Sequence, residues 1–252
     1  TLIHKAFTPR RLEGIKPHMA ELVEHLLDEA EPNGGMEVMS EFAYRLPTTV
    51  ISEMLGVPAR DQDRFRTWTE GLAVFLGDLL PTVEKLRTGR VNMEEMTAYF
   101  LKALKRVRKK PGEDLLSALA MAEEQGHALS TEEVLSTAIL LLAAGHETTA
   151  SLVGSGTLLL MQNPEAWEAL KADPSLIPSA VEEMLRCESP IQLTARECTE
   201  DVEVMGQALS RGDFVVVSLG AANRDPAVFK DPHVFDIRRT DNRHLAFSHG
   251  PH

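Results

Sequence analysis

The sequence predicts a mainly α-helical fold with a small β portion near its carboxyl end. Apolar residues recur at helical spacing through most of residues 1–187, and a proline-free aliphatic segment of helical length lies in the middle. Alternating β-branched residues appear only after Pro190. With 252 residues, 43% of them hydrophobic, the chain can bury a substantial core. We therefore expect one domain over residues 1–252, mostly helical over 1–187, with strands and a long ordered loop over 188–252.

Charge and cysteine content narrow the class of protein. The formal net charge of -12 disfavours a nucleic-acid surface, which needs clustered Lys and Arg. Residues 102–110 form a local basic cluster, which is either a solvated helix end or a docking site for an acidic partner. Two cysteines, Cys187 and Cys198, are too few for a secreted disulfide framework, and no apolar stretch is long enough to span a bilayer. We expect a cytoplasmic protein that binds neither nucleic acid nor membrane.

Helices account for the first half of the chain. Apolar residues from Ile15 to Leu27 follow helical spacing, and the turn-forming segment 32–35 ends that helix. Further helices are predicted at residues 47–55, 59–77, 83–109 and 113–124, with Pro58 and Pro111 as breakers.

A long central helix follows. Ser130 and Glu133 form a capping-box pattern, no proline occurs from 134 to 161, and residues 162–164 carry a stop signal. At 1.5 Å per residue this helix is roughly 45 Å long. Because it is hydrophobic around most of its circumference, we expect it to be buried. Shorter helices are predicted at 163–172 and 178–187.

The carboxyl-terminal part has a different pattern. Residues 199–204 and 214–218 alternate and are rich in β-branched side chains, which predicts short strands. Residues 223–252 show little periodicity, so we expect a long ordered loop there, and such loops inside compact domains are usually functional.

The middle of the long helix contains residues that suit a buried helix poorly, over Ala143–Thr149. Gly145 weakens a helix, Glu147 is costly to bury, and a threonine hydroxyl can bond to the preceding turn. A kink or widened turn is predicted there. The alternative is a helix that reaches the surface at this point. A zinc-protease motif is excluded, because Ala150 stands where the second histidine is required.

The segment from Ala144 to Thr149 resembles the oxygen-binding helix motif of cytochromes P450, Ala/Gly-Gly-x-Asp/Glu-Thr-Thr. The resemblance implies that Ala144 and Gly145 lie against a haem b group. It also implies that Thr148 hydrogen-bonds dioxygen and that Glu147 relays protons. The residue types suit this work, because a hydroxyl both donates and accepts while a carboxyl group can supply a proton.

Glu183 and Arg186 are three residues apart on a predicted helix. Alone, this pattern is most often an exposed ion pair. Its position after the long helix resembles the Glu-x-x-Arg element of the same family. The resemblance implies a structural ion-pair network completed by Arg239 from the later loop, for which a guanidinium fork is better suited than an ammonium.

The segment from Leu193 to Arg196 resembles the family's strand that lines the substrate pocket and sends an arginine to a haem propionate. Arg196 is the residue implied, and an exposed strand-edge arginine is the alternative. The substrate pocket is expected to include residues from both halves of the chain: Ala143, Ile191, Gln192 and Leu193.

Residues 244–252 resemble the start of the haem-ligand loop, Phe-x-x-Gly-x-x-x-Cys. Phe247 and Gly250 match, His252 is implied to meet the second propionate, and the axial cysteine is expected two residues beyond His252. No metal ligand is therefore expected within the chain. Ser248 stands where a glycine is commoner. Three histidines in this segment also fit a metal-binding tract, but that reading leaves Phe247 and Gly250 unexplained.

The resemblance implies a soluble bacterial haem-thiolate monooxygenase with dioxygen as co-substrate. Its expected partners are a small apolar organic substrate and an electron donor of the ferredoxin or flavodoxin type. It also implies that these residues are a fragment lacking an amino-terminal part and the ligand cysteine, and that the fragment alone is inactive. The alternative from another class is a non-enzymatic helical ligand-binding domain.

Overall fold

A computed structural model describes residues 9–77, 81–124 and 129–250. The chain divides into two compact units, residues 1–150 and 151–252. Helices dominate the described residues, and two small antiparallel sheets lie in the second unit. The predicted fold class, mainly helical with a small β portion, is confirmed.

The first unit consists of helices joined by short turns. Its α-helices are α1 (Pro9–Ala30), α2 (Arg45–Met54), α3 (Gln62–Gly77), α4 (Val83–Lys109), α5 (Leu115–Glu124) and the first part of α6 (Thr131–Gln162). A π-helical segment, Val38–Ala43, precedes α2, and 3-10 turns lie at Glu31–Asn33 and Ala59–Asp61.

Local capping explains where the helix bounds differ from prediction. The prediction of a helix from residue 113 was wrong by two residues, because the Asp114 carboxylate accepts a hydrogen bond from the Ser117 amide at 2.7 Å and caps a helix that starts at Leu115. The capping box at the start of α6 is confirmed. Ser130 Oγ accepts from the Glu133 amide at 3.2 Å, and Glu133 Oε2 accepts from the Ser130 amide at 2.7 Å.

Helix α6 differs from prediction in two ways. It is α-helical at every residue from 143 to 149, so the predicted widened turn is absent. The Thr148 hydroxyl donates to the Ala144 carbonyl at 2.8 Å while the helix continues unbroken. The helix is also not buried all round: Leu140, Leu158 and Met161 are 60%, 54% and 69% exposed. The described elements cover only part of its apolar circumference.

An aromatic cluster forms the centre of the first unit's core. Phe65 on α3 packs edge-on against Trp68, Tyr99 and Phe100, with ring centroids 5.1, 4.8 and 5.6 Å apart. Phe65 and Phe100 are fully buried, and each contributes about 1.5–3 kcal/mol of burial free energy beyond the edge-to-face contacts. Five buried residues of α6 extend this core: Val134, Leu135, Ala138, Ile139 and Leu142.

The second unit combines two helices with two hairpin-like sheets. After α6 come α7 (Pro164–Ala172), a 3-10 turn and α8 (Ile177–Cys187). Strands β1 (Leu193–Glu197) and β4 (Phe214–Ser218) pair antiparallel, as do β2 (Val202–Val204) and β3 (Gln207–Leu209).

The predicted strand at 199–204 is too long at its amino end. Asp201 instead caps a turn, because its carboxylate accepts from the Arg211 amide at 2.8 Å. The β2–β3 hairpin turns at Met205 and Gly206, which both have positive φ, +52° and +81°. This is the backbone twist that two-residue hairpins require.

The segment that follows β4 is irregular over most of its described residues. After the single turn α9 (Leu219–Ala222), residues 223–250 contain neither helix nor strand. Side-chain hydrogen bonds hold this segment, as described below. His252 lies outside the described residues.

Candidate functional site

The central part of α6 has an open face and a packed face. Ala144 and Thr149 are exposed, the Glu147 side chain is 33% exposed, and Thr148 is half-buried. His146 between them is fully buried. The Thr148 hydroxyl donates to the Ala144 carbonyl, which leaves its oxygen lone pairs available to accept. The carboxyl group of Glu147 and the hydroxyl of Thr148 thus belong to partly exposed side chains at consecutive positions of α6.

His146 links α6 to α3, a contact that the sequence did not reveal. Its Nδ1 lies 3.0 Å from Thr69 Oγ1, and its ring lies 5.5 Å from that of Tyr44. The single Thr69 hydroxyl proton faces backbone carbonyls of its own helix at 2.9 and 3.0 Å, so His146 Nδ1 is the donor. Burial, followed by the positive charge of Arg66, lowers the pKa of His146 to about 4. The ring is neutral at pH 7 and anchors the turn that carries Glu147.

Gly145 has a packing function in the structure. A Cβ atom built on it would lie 3.0 Å from Ile51 Cγ1 and 3.1 Å from Ile51 Cδ1. The glycine thus allows α2 and α6 to approach closely. Ala143, expected in the substrate pocket, is half-buried and packs against the core of the first unit.

In the second unit, a buried carboxylate organises the structure. Glu183 is 0% exposed, and its two oxygens accept from Arg186 Nε and Nη2 at 2.8 Å each. Arg239 Nε donates to both oxygens at 3.2 and 3.1 Å. The Asp236 amide and Asn242 Nδ2 add bonds at 2.9 and 3.1 Å. The structure therefore brings Glu183, Arg186 and Arg239 together in one network.

The network satisfies charges that would otherwise be costly to bury. Burial alone raises the pKa of Glu183, but the bonds from Arg186 and from the Asp236 amide outweigh it, and the net pKa is lowered. Arg186 is 0% exposed and also donates to the carbonyls of Pro232 and Val234 at 2.8 and 3.0 Å. The guanidinium thus ties α8 to the long loop as well as to Glu183.

Asn223 is a second organising residue that the sequence analysis did not single out. It is fully buried, its Nδ2 donates to Ser189 Oγ at 2.8 Å, and its Oδ1 accepts from the Leu245 amide at 2.6 Å. Its carbonyl accepts from Arg186 at 2.9 Å. Its partners Ser189 and Leu245 lie 34 and 22 residues away in sequence, so no local pattern predicts them. Asn223 connects the ion-pair network to the segment that contains Phe247 and Gly250.

Arg196 on β1 is exposed and lies beside the end of the long loop. Its Nη1 donates to Thr194 Oγ1 at 2.8 Å and to the Ala195 carbonyl at 2.9 Å, and its Nη2 donates to Ser248 Oγ at 3.2 Å. In the same loop Phe247 is 76% exposed, and Gly250 has a φ of +116°. The structure thus brings Arg196 next to the loop that contains two of the predicted haem-loop residues.

The remaining predicted pocket residues flank β1. Ile191 and Leu193 are 47% and 49% exposed. The Gln192 side chain folds back instead, because its Nε2 donates to the Ser189 carbonyl at 2.7 Å and its Oε1 lies over Gly220. Two apolar side chains and one backbone-bound amide therefore occupy this edge.

The described residues contain no cluster of three or more His, Cys, Asp or Glu that could hold a metal ion. Cys187 is buried, and burial followed by the nearby Glu183 raises the pKa of its thiol to about 11. It therefore remains a protonated thiol near neutral pH. Among the described helices, none has the length and apolar character that crossing a membrane requires.

Comparison with known proteins agrees with this architecture. The family model Cytochrome P450 matches residues 1–252. The biotin biosynthesis cytochrome P450 of Bacillus subtilis is 42% identical to this chain over all 252 residues. The match covers 63% of the length of that relative. The cytochrome P450 monooxygenase PikC of Streptomyces venezuelae is 43% identical, and the chain covers 59% of it.

A solved structure extends the similarity to three dimensions. The crystal structure of P450BioI in complex with a hexadec-9Z-enoic acid-ligated acyl carrier protein superposes with a TM-score of 0.95 at 41% identity. The match covers 100% of this chain and 65% of that one. The chain thus spans less than two thirds of the length of these relatives. The family model, the relatives and the shared fold together show that the chain belongs to the cytochrome P450 family.

Proposed function

We propose that this chain is part of a haem-dependent monooxygenase that inserts one atom of dioxygen into a small apolar organic substrate. The observation that carries the proposal is the occurrence of two partly exposed residues, Glu147 and Thr148, at consecutive positions of α6 within a chain of this family. A carboxyl group next to a hydroxyl is suited to deliver protons, which dioxygen cleavage requires.

Three consecutive residues of α6, His146, Glu147 and Thr148, have different functions in this proposal. His146, buried and bonded to Thr69, fixes the helix turn that carries Glu147. Glu147 holds the proton, and Thr148 accepts it at Oγ1 while donating its own. Because the Thr148 hydroxyl can rotate away from the Ala144 carbonyl, it can donate in either direction.

The residues of the second unit fit a haem b group. Arg196 uses three of its five N–H donors on Thr194, Ala195 and Ser248, which leaves two donors for one propionate carboxylate. Phe247 and Gly250 would flank the cofactor, and His252 would bind the second propionate. We propose that the axial cysteine lies two residues beyond His252. When bound, a thiolate-ligated haem supplies the redox chemistry that no side chain can provide.

The substrate class is proposed from the apolar character of the expected pocket. Ile191 and Leu193 are exposed apolar side chains, so a largely hydrocarbon molecule is favoured over a polar one. Relatives named for biotin and polyketide pathways are compatible with that class. We further propose a ferredoxin or flavodoxin-type electron donor and a cytoplasmic location.

Spectroscopy of a longer protein that continues beyond residue 252 tests this function. We expect that protein to bind haem and, when reduced under carbon monoxide, to show the absorption band of a thiolate-ligated haem. The 252-residue chain with added hemin serves as the control and should lack that band. A longer protein that binds no haem, or binds it without that band, would contradict the proposal and favour a non-enzymatic ligand-binding domain.

A further inference from the structure

Ser248 adopts a backbone conformation that L-residues with side chains rarely adopt. Its φ is +62°, in the left-handed region that glycine enters without cost. Its amide donates to the Leu245 carbonyl at 2.8 Å, which closes a turn immediately after Phe247. A serine here costs free energy that a glycine would not, so an interaction of its side chain should compensate.

The compensating interaction is with Arg196. Nη2 of Arg196 donates to Ser248 Oγ at 3.2 Å across 52 residues of sequence. The other terminal nitrogen, Nη1, is held by Thr194 Oγ1 and the Ala195 carbonyl. Both ends of the guanidinium fork are therefore fixed, one by β1 itself and the other by the long loop.

This arrangement leaves a defined pair of donors. Three of the five N–H groups of Arg196 donate to Thr194, Ala195 and Ser248. Two N–H groups remain, and a bidentate pair with one carboxylate uses two. A long exposed arginine loses rotamer freedom when it binds a ligand, so fixing it beforehand reduces that cost.

We propose that Ser248 is a positioning residue: its hydroxyl holds Arg196 in the orientation that binds a carboxylate of the haem, and this offsets the strain at residue 248. The inference rests on the proposed haem function. Glycine at this position would relieve the strain but leave the arginine free to move.

Two substitutions of Ser248 separate the effect of losing its hydroxyl group from the effect of relieving its backbone strain. Ser248→Ala removes the hydroxyl and keeps a Cβ atom at positive φ, whereas Ser248→Gly removes both. Both variants would be made in the longer holoprotein, alone and combined with Arg196→Lys. The measurements are the rate of haem transfer to excess apomyoglobin and, separately, the urea unfolding of the haem-free protein.

The proposal predicts that haem release becomes about threefold to tenfold faster in both variants, as expected for loss of one hydrogen bond to a charged group. Stability of the haem-free protein should rise in Ser248→Gly relative to Ser248→Ala. In the Arg196→Lys background, neither change at Ser248 should alter haem release further.

The positioning role would be overturned if haem release were faster in Ser248→Ala but not in Ser248→Gly, because release would then follow the stability of the haem-free protein. An undiminished effect of Ser248→Ala in the Arg196→Lys background would also overturn it. If the unsubstituted protein bound no haem, the proposed function would fail and this inference with it. Normal haem binding with unchanged release in both variants would refute the role of Ser248 alone.

Discussion

Replacing Arg186 by lysine tests whether the number of hydrogen bonds, rather than charge alone, holds the second unit together. The buried guanidinium donates to both oxygens of Glu183 and to the carbonyls of Asn223, Pro232 and Val234. A lysine ammonium keeps the charge but offers three N–H donors for these five oxygens, so at least two of the five hydrogen bonds are lost. The Glu183 oxygens keep their bonds from Arg239, the Asp236 amide and Asn242. At ~1.5–3 kcal/mol for each lost hydrogen bond to a charged group, the loss is about 3–6 kcal/mol.

Urea unfolding followed by circular dichroism measures this loss as a lower midpoint at an unchanged m-value. Arg224→Lys is the matched control. Arg224 uses a single nitrogen, Nη2, which donates to the Cys187 carbonyl at 2.7 Å and to Glu188 at 2.9 Å, and its side chain is 32% exposed. That variant should lose less than about 1 kcal/mol. An equal, small loss in both variants would refute the reasoning.

Three further predictions concern α6. The pKa of His146 is lowered from 6.5 to about 4 in the folded state. Between these pH values the unfolded state therefore binds one more proton than the folded state. The free energy of unfolding should fall by about 3 kcal/mol as the pH drops from 6.5 to 4. His146→Phe should make the free energy of unfolding, measured by urea titration, less dependent on pH over this range. An unchanged pH dependence would contradict the prediction. In the longer holoprotein, Glu147→Gln and Thr148→Ala should each lower the yield of oxidised product per reducing equivalent at least about tenfold, while haem content stays constant. Unchanged yields would exclude these two residues from proton delivery. Gly145→Leu should destabilise by about 1–3 kcal/mol through overlap with Ile51, whereas a thermal midpoint equal to wild type would show that α2 can move aside.

The parts of the fold that local chemistry encodes could be predicted from the sequence. The capping box at Ser130 and the stop at Pro164 fix the ends of α6, since each acts through neighbouring backbone groups. Glycine at residues 206 and 212 marks the turns between strands, where φ is positive. Such signals involve residues close together in the chain.

The contacts that position the candidate site are long-range and were not predictable in the same way. His146 meets Thr69 across 77 residues, and Asn223 meets Ser189 across 34. No periodicity or spacing encodes such partners. The unbroken α6 was missed for a related reason: the Ala144 carbonyl can accept from the Thr148 hydroxyl without disrupting the helix, and Ile51 fills the space beside Gly145.

The candidate motif at Ala144–Thr149 was recognised by resemblance rather than derived. The residue types fit either an oxygen-binding helix or a helix that reaches the protein surface at this point. The exposure of Ala144 and Thr149 is compatible with both interpretations. The two interpretations differ in whether a haem group packs against this face of α6.

The most direct test of the proposed function is the absorption spectrum of the longer protein after reduction under carbon monoxide. A haem-thiolate enzyme should contain stoichiometric haem and show the band of a thiolate-ligated complex. That band should be lost when the cysteine expected two residues beyond His252 is replaced by serine. Haem bound with the spectrum of imidazole ligation, or a thiolate band that survives that replacement, would contradict it.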